Sequence, residues 1–446
     1  MRTRLQRLVL AGIATASTLL PVVAVGSATP PAPAAGAHGA LGKDFLWGVA
    51  ASGFQSEGYP ADSNWLRYIQ ANPDWDRYED SVDFRSRYPN DIALAAGLGV
   101  KVFRIGIEWA RVQPTAAAWN EEGFRFYDSV IQAILDAGMK PMLTLDHWVY
   151  PGWAADRGGW NNPGMVQDWL ANMRTVVDRY AALNPVWVTI NEPVAYIMHE
   201  VRQNGTDAPA MLDLVAMAHN EIYDYIHRVQ PGAQVTSNVG YVAGAEAEVN
   251  GPLMDRIGER LDFIGVDYYF GYEPPNSNAV SHRPDGSVPA PAGMWDLPVR
   301  PEGIYFALQH YSRKFPDKPL WIVENGMPTE SGKPRADGYT RSDHLRDTVY
   351  WLQRAKIDGM NIIGYNYWSL TDNYEWSSYT PRFGLYTVDV TTDPNLTRTP
   401  TDAVDSYRGI VTSGGVPSWY TPVRHPVSDC NLVDPPASCE SPVTVP

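Results

Sequence analysis

Short apolar runs alternate with longer segments of helical periodicity between residues 44 and 407. Each run has the length of a buried strand, and the segments between the runs place apolar residues at the spacing of an amphipathic helix. Eight strands are predicted in this way, at residues 45–51, 102–107, 141–145, 186–190, 234–238, 263–268, 320–323 and 362–367.

This alternation is typical of an α/β protein with a parallel sheet, and eight units predict a single closed (β/α)8 TIM barrel. The helix expected at 121–137 is an example, because Asn120 can cap it, Glu121 favours its positive first turn and Gly138 can end it. An open doubly wound sheet is the alternative. That fold is disfavoured because no Gly-rich phosphate loop follows an early strand.

The N-terminal segment has the pattern of an export signal. Arg2, Arg4 and Arg7 precede an apolar run, and small residues follow near position 26. We therefore predict a signal peptide at residues 1–28 and a secreted protein, with a retained membrane anchor as the alternative. The Pro/Ala-rich residues 29–40 are interpreted as a linker.

The barrel domain is predicted to span residues 41–415, followed by a Pro-rich tail at 416–446. The tail holds both cysteines of the chain, Cys430 and Cys439. An oxidising compartment favours a disulfide between them. A metal or redox pair is the weaker interpretation, because no further ligand completes a site there.

Composition narrows the class of ligand. The chain has 35 Lys and Arg against 50 Asp and Glu, a net charge of −15, which argues against nucleic acid and against an anionic membrane once the signal is removed. Aromatic residues make up 12% and include 16 Trp, which suits the flat faces of sugar rings. A carbohydrate or glycoside partner is expected, and composition leaves the oligomeric state open.

Polar and aromatic residues follow the predicted strands, where the active sites of such barrels lie. They are Gln55, Glu108, Trp109, His147, Trp148, Asn191, Glu192, Tyr269, Glu324, Asn325 and Trp368. Together they would form a polar cup with stacking walls, which is what a pyranose ring requires.

Two carboxylates stand out because each directly follows a predicted strand and precedes a residue that breaks the chain's regular structure. Glu192 lies between Asn191 and Pro193, and Glu324 precedes Asn325 and a glycine. The ends of strands four and seven face each other across a barrel mouth, so these carboxylates can flank one glycosidic bond. Either Glu viewed alone could instead form a structural ion pair.

Five segments resemble glycoside hydrolase family 1, the retaining β-glucosidase-type barrels. They are FLWGVAASGFQSEG from position 45, LDHW from 145 with GGW from 158, TINEP from 189, IVENG from 322, and YWSLTDNYEW from 367 followed by RFGL. They occur in the family's order over residues 44–407, which makes the resemblance specific.

The resemblance implies that Glu324 is the nucleophile and Glu192 the acid/base. It implies that Arg104 and Tyr269 face the nucleophile, that Trp368 forms a stacking floor, and that the sugar hydroxyls are bound by Gln55, His147, Asn191, Glu375 and Trp376. No cofactor and no metal are expected. The resemblance suggests a retaining β-glycosidase acting on glucosides or related glycosides, including diglycosides, and the N-terminal pattern predicts that it is secreted.

Two positions depart from the family pattern. Val149 replaces the Asp that usually follows His-Trp, and Asp267 replaces the Asn two residues before Tyr269. An extra carboxylate at 267 is expected to affect the acid/base or the choice of sugar. A transglycosidase using the same two Glu residues, or a catalytically silent sugar-binding protein, are the alternatives in function.

Overall fold

The structure is a computed structural model that describes residues 41–271, 293–297 and 299–424. The predicted signal peptide and linker, and the Cys430–Cys439 disulfide, fall outside the described residues. Those three interpretations stay predictions. Within the described part, no helix is both long and apolar enough to cross a membrane.

Nine parallel strands form the central sheet and confirm the predicted α/β barrel. Their spatial order is β5-β4-β3-β2-β1-β10-β8-β7-β6. The sheet strands are β1 (Leu46–Ala50), β2 (Val102–Gly106), β3 (Lys140–Asp146), β4 (Val186–Ile190), β5 (Gln234–Thr236), β6 (Val239–Gly240), β7 (Ile264–Asp267), β8 (Leu320–Asn325) and β10 (Ile362–Trp368). Four two-residue strands form small antiparallel pairs outside it: β9 (Thr329–Glu330), β11 (Pro381–Arg382), β12 (Tyr386–Thr387) and β13 (Thr399–Pro400).

Helices follow the strands around the barrel. In the described residues they are α1 (Gly53–Glu57), α2 (Asn64–Ala71), α3 (Phe84–Gly97), α4 (Trp109–Val112), α5 (Glu121–Asp136), α6 (Gly152–Asp156), α7 (Met165–Tyr180), α8 (Pro193–Asn204), α9 (Ala208–Val229), α10 (Glu246–Val249), α11 (Gly251–Ile257), α12 (Gly303–Lys314), α13 (Arg341–Ile357) and α14 (Asp402–Ser413). Single 3-10 turns lie at Gly159–Asn161, Ala181–Leu183, Gly258–Arg260 and Met294–Asp296.

The predicted start of α5 is confirmed. The Asn120 side chain accepts a hydrogen bond from the amide of Glu122 at 3.1 Å, which satisfies one of the free N–H groups at the helix start. Gly138 has a φ of 73°, a left-handed conformation that favours glycine just after a helix.

The fifth predicted strand is not continuous. Residues 234–238 were expected to form one strand, whereas β5 ends at Thr236 and β6 begins at Val239. Contacts with the end of β4 accompany the break: the Ser237 hydroxyl donates to the carbonyl of Ile190 at 2.7 Å, and the Asn238 carbonyl accepts from the amide of Glu192 at 3.1 Å. β5 pairs with β4, and β6 pairs with β7. The two halves of the interrupted strand are therefore the first and last strands in the sheet order.

The core has two layers, one on each side of the sheet. Inside the barrel, strand side chains such as Met142, Val188 and Trp321 pack together. A larger apolar cluster includes strand residues such as Ile105 and Leu143 together with buried residues of the helices. β2, β3, β4 and β8 are buried almost throughout, as expected for strands covered on both faces.

The first residues of the predicted tail are ordered against α13. The buried Asp347 carboxylate accepts hydrogen bonds from the Tyr420 hydroxyl at 2.6 Å and from the amides of Val423 and Arg424 at 2.9 and 3.0 Å. Gln353 also exchanges two hydrogen bonds with the backbone of Val416, and the Nη1 of Arg424 donates to the carbonyl of Val299 at 2.6 Å, so several contacts attach the described part of the tail to the barrel.

Candidate active site

Glu324 lies inside β8, not just beyond it as the sequence suggested, because the strand continues through Asn325. The residue is 3% exposed, and its carboxylate receives two donors. The Nη1 of Arg104 contacts one oxygen, and the Tyr269 hydroxyl donates to the other at 2.6 Å. Charge-assisted donors of this kind stabilise the ionised form of a carboxyl group.

Glu192 lies at the start of α8, with a φ of 38° that turns the chain from β4 into the helix. Among the described residues, no side chain donates a hydrogen bond to its carboxyl group. Burial, and then the nearby charge of Glu324, raise the pKa of Glu192 to about 8, and Arg104 opposes this shift. The group is therefore protonated at neutral pH.

A glycine makes room for the Glu192 carboxyl group. A side chain at Gly240 in β6 would collide with the Oε1 of Glu192. The backbone of β6 thus lies close to the Glu192 carboxyl group. β3, the neighbour of β4 in the sheet, lies on the other side of β4. No property of the sequence singled out this glycine.

Asn191 connects the carboxylates to the rest of the rim. Its Oδ1 accepts from the Nη2 of Arg104 at 2.6 Å and from the Nδ2 of Asn238 at 2.7 Å. Its Nδ2 lies 3.2 Å from the Nε2 of His147. Burial and the Arg104 charge hold the pKa of His147 well below its usual range, so this ring is neutral and its Nε2 accepts from Asn191.

A second group of polar residues surrounds the carboxyl group of Glu375. The Nε2 of Gln55 donates to Glu375 at 3.3 Å and to Asn373 at 3.2 Å, and the Nε1 of Trp368 donates to Glu375 at 3.3 Å. Burial raises the pKa of Glu375 to about 8, although the Trp368 hydrogen bond opposes the shift. This region can offer amide, carboxyl and imidazole groups to the hydroxyls of one ligand.

Aromatic rings form the walls of the site. The His147 ring lies 5.9 Å from Trp368 and 5.7 Å from Trp376, centroid to centroid, in both cases stacked. Trp376 also stacks on Trp148 at 4.7 Å and packs against Trp65 at 4.4 Å. The stack thus runs from the rim into a larger aromatic cluster.

All ten described residues that the resemblance assigned are therefore brought into one connected cluster. They are Gln55, Arg104, His147, Asn191, Glu192, Tyr269, Glu324, Trp368, Glu375 and Trp376. Two other polar rim candidates make contacts elsewhere: Asn325 accepts from the Tyr365 hydroxyl at 2.9 Å, and Trp109 donates to Gln113 at 2.8 Å.

Sequence reasoning missed Asn238. It was included only as the end of a strand, yet its amide donates to both Asn191 and Asp267, and its carbonyl holds the Glu192 backbone. A signal was present, since a polar amide closes an apolar run that ends at the rim. Thr144, which accepts from the Nε of Arg104 at 3.0 Å, was also missed, because it was included only as part of a predicted strand.

The arrangement can be compared with known proteins. The family model of glycosyl hydrolase family 1 matches residues 37–240 and 224–416. A 1,4-beta-D-glucan glucohydrolase from Thermotoga neapolitana is 28% identical over 83% of this chain and 98% of its own length. The chloroplastic galactolipid galactosyltransferase SFR2 from Arabidopsis thaliana is 30% identical over 76% of this chain and 59% of its own length.

Solved structures agree with the barrel. The beta-glycosidase from Pyrococcus horikoshii aligns with a TM-score of 0.73 at 25% identity, covering 85% of this chain and 96% of the other. The family 1 β-glucosidase from Thermotoga maritima gives a TM-score of 0.73 at 24% identity, over 85% of this chain and 99% of the other, which supports the fold. Because the family model matches most of the chain, the protein belongs to glycosyl hydrolase family 1 and is an O-glycosyl hydrolase of the β-glucosidase type.

Proposed function

We propose that Glu324 is the nucleophile and Glu192 the acid/base of a double displacement that cleaves a terminal β-glycosidic bond. One observation carries the assignment: the two neighbouring carboxyls have opposite surroundings. Glu324 receives the Arg104 guanidinium and the Tyr269 hydroxyl, whereas Glu192 is partly buried without a donor among the described residues. A nucleophile must be ionised and a general acid protonated, and these surroundings favour those two states.

The first step breaks the glycosidic bond. Glu324 attacks the anomeric carbon while Glu192 gives its proton to the departing oxygen, which leaves as an alcohol and a glycosyl ester on Glu324. The ester carries no charge, so Glu192 loses the repulsion that helped to raise its pKa. Glu192 then takes a proton from water, which attacks the ester, and the anomeric configuration is retained.

The terminal sugar is proposed to occupy the cluster of Gln55, His147, Glu375 and Trp368. Glu375 and Gln55 contact each other in the free site, and a sugar with adjacent hydroxyls can take over their hydrogen bonds. Trp368 supplies an indole face. The substrate class is a β-linked glucose, galactose or fucose-type unit, or a disaccharide, on an extracellular aglycone.

Hydrolysis rates on a panel of nitrophenyl β-glycosides and natural diglycosides test this proposal. Cleavage of at least one β-glycoside, with the first product in the β configuration by NMR, is expected. An inverted first product would contradict the double displacement, and activity on α-glycosides alone would contradict the substrate class.

Transglycosylation is a second candidate, supported by the similarity to the galactolipid galactosyltransferase of Arabidopsis thaliana. A sugar or alcohol would then replace water in the second step, with the same two Glu residues. Analysis of the products formed with added acceptor glycosides separates the two reactions, because a hydrolase releases free sugar in preference to new glycosides.

We also propose that the protein is exported. The support is the pattern of three Arg residues, an apolar run and small residues at the N-terminus. Expression of the full chain in a host with an export pathway, followed by N-terminal sequencing of the protein in the medium, is the test. Retention of the uncleaved chain in the cells would contradict the proposal.

A further inference from the structure

Asp267 lies between the strands that surround the two proposed catalytic carboxyls. It is the last residue of β7, where it pairs with Gly240 of β6 on one side and with Glu324 of β8 on the other. A side chain at Gly240 would collide with the carboxyl group of Glu192. Asp267 is 1% exposed, so its carboxyl group belongs to the buried floor of the same site.

The two oxygens of Asp267 have different surroundings. Oδ2 accepts a hydrogen bond from the Nδ2 of Asn238, which also donates to Asn191. Oδ1 is buried and has no hydrogen-bond partner in the described part of the chain. Buried polar atoms are normally satisfied, so an unpaired oxygen in a ligand site indicates a contact that the occupied site completes.

The charges around Asp267 favour its neutral form. Burial, and then the charges of Glu324 and Glu192, hold the pKa of Asp267 well above its usual range, against the opposing effects of Arg104 and Asn238. An arginine guanidinium is always charged and can balance one carboxylate. With Glu324 ionised beside Arg104, a second carboxylate at Asp267 would leave a buried charge without a counterion.

We propose that Asp267 is a third working carboxyl of this site: it carries a proton, and its Oδ1 donates a hydrogen bond to the bound glycoside next to the reacting bond. This inference rests on the proposed function. We assign the partner to the ligand because no described group forms a hydrogen bond with Oδ1. Oδ2 remains the acceptor for Asn238, so one neutral carboxyl makes both contacts.

Loss of the Asp267 proton would therefore slow the reaction. The ionised carboxylate cannot donate to the sugar, and it adds a second negative charge beside Glu324. An asparagine at this position can also accept with its oxygen and donate with its nitrogen, but it does not titrate. Asp267→Asn thus keeps both hydrogen bonds and removes only the dependence on pH.

The test removes the other acid first. In a Glu192→Gln variant, a dinitrophenyl β-glycoside needs no protonation of its leaving group, so kcat/KM reports the attack of Glu324 alone.

Among the described groups facing Asp267, Arg104 stays charged, while burial and the Glu324 charge raise the pKa of Tyr269 well above its usual range. Burial holds the pKa of His147 well below its usual range, which keeps that ring neutral over the alkaline range. Among the described groups around it, Asp267 is the one left to lose a proton over the alkaline range.

We expect kcat/KM of the Glu192→Gln variant to fall at alkaline pH, approaching about tenfold per pH unit as one proton is lost. The fall should disappear when Asp267→Asn is added. It should persist when Asp136→Asn, at an exposed position on α5, is added instead. A flat profile for the Glu192→Gln variant would overturn the proposal without any variant at 267, and so would an unchanged fall in the Asp267→Asn double variant.

An infrared difference spectrum gives a readout that needs no substrate. Wild type minus Asp267→Asn, both unliganded at pH 7, should show the carbonyl band of a protonated carboxyl in the wild type. A carboxylate band in its place would overturn the proposal. If the wild type cleaves no β-glycoside, the proposed function fails while this spectrum still decides the state of Asp267; an active enzyme with an unaffected alkaline profile contradicts the inference on Asp267 alone.

Discussion

The carboxyl groups of Glu324 and Glu192 lie in the same site but in opposite surroundings, and these surroundings favour different protonation states. On the β8 side, a guanidinium and a phenol donate to a carboxylate that is almost fully buried. On the β4 side, Glu192 heads a helix and receives no side-chain donor from the described residues, and its pKa rises to about 8. The comparison teaches that burial without a donor on one side, and two donors on the other, give two neighbouring carboxyls different surroundings, as the proposed roles of acid and nucleophile require.

Removal of the nucleophile should have the largest effect. Glu324→Gly is expected to lower kcat/KM on every β-glycoside by about 10⁴-fold or more, because even a good leaving group cannot compensate for the loss of the nucleophile. Steady-state kinetics with alkyl and dinitrophenyl glycosides measure the loss. Near-normal turnover of any β-glycoside by this variant would contradict the assignment of Glu324.

Removal of the acid should depend on the leaving group. Glu192→Ala is expected to lower kcat/KM by about 10² to 10⁴-fold on alkyl or oligosaccharide glycosides and to spare the first step on a dinitrophenyl glycoside. A burst of dinitrophenol, with a glycosyl ester trapped on Glu324 and seen by mass spectrometry, is the expected signature. Equal losses on both kinds of substrate would mean that Glu192 is not the proton donor.

Disruption of the sugar-binding group should have an intermediate effect. Glu375→Ala removes the partner of both Gln55 and Trp368, and the loss of kcat/KM is expected to be about 10 to 100-fold on any active glycoside. Glu259→Ala is the matched control, since this exposed Glu precedes β7 at the opposite end of the barrel. Unchanged kcat/KM for Glu375→Ala would remove this residue from the glycone site.

The smallest effect concerns pH. Glu192 must hold its proton for a poor leaving group, and with a pKa of about 8 the wild-type kcat/KM on an alkyl glycoside should fall as pH rises through 8. On a dinitrophenyl glycoside the same enzyme should lack this dependence on Glu192. Identical alkaline profiles for the two substrates would contradict the role given to Glu192.

Much of the fold follows from local patterns. The eight apolar runs and the cap at Asn120 depend on neighbouring residues, so the barrel and α5 were predictable. The break at Ser237 and Asn238 was not, because their partners Ile190 and Glu192 are distant in sequence. The same reason applies to β8, whose pairing with β7 and β10 extends it past Glu324.

The candidate site was predictable where a motif places a residue directly at a strand end, as for Asn191 and Glu192. The contacts that tune these residues were not predictable. The resemblance led us to expect Arg104 beside Glu324, but not the second hydrogen bond of its guanidinium to Asn191, because that contact depends on how the strands are placed around the barrel interior. The raised pKa of Asp267 likewise depends on burial and on the charges of Glu324 and Glu192.

The configuration of glycosyl azides tests the central claim, the division of roles between Glu324 and Glu192, most directly. With Glu192→Ala, azide should attack the ester on Glu324 without help from a base and give the β-glycosyl azide. With Glu324→Gly, azide should enter from the vacated face and give the α-glycosyl azide. NMR of the two products decides the matter: opposite configurations in this order agree with the account, and the same configuration from both variants would contradict it.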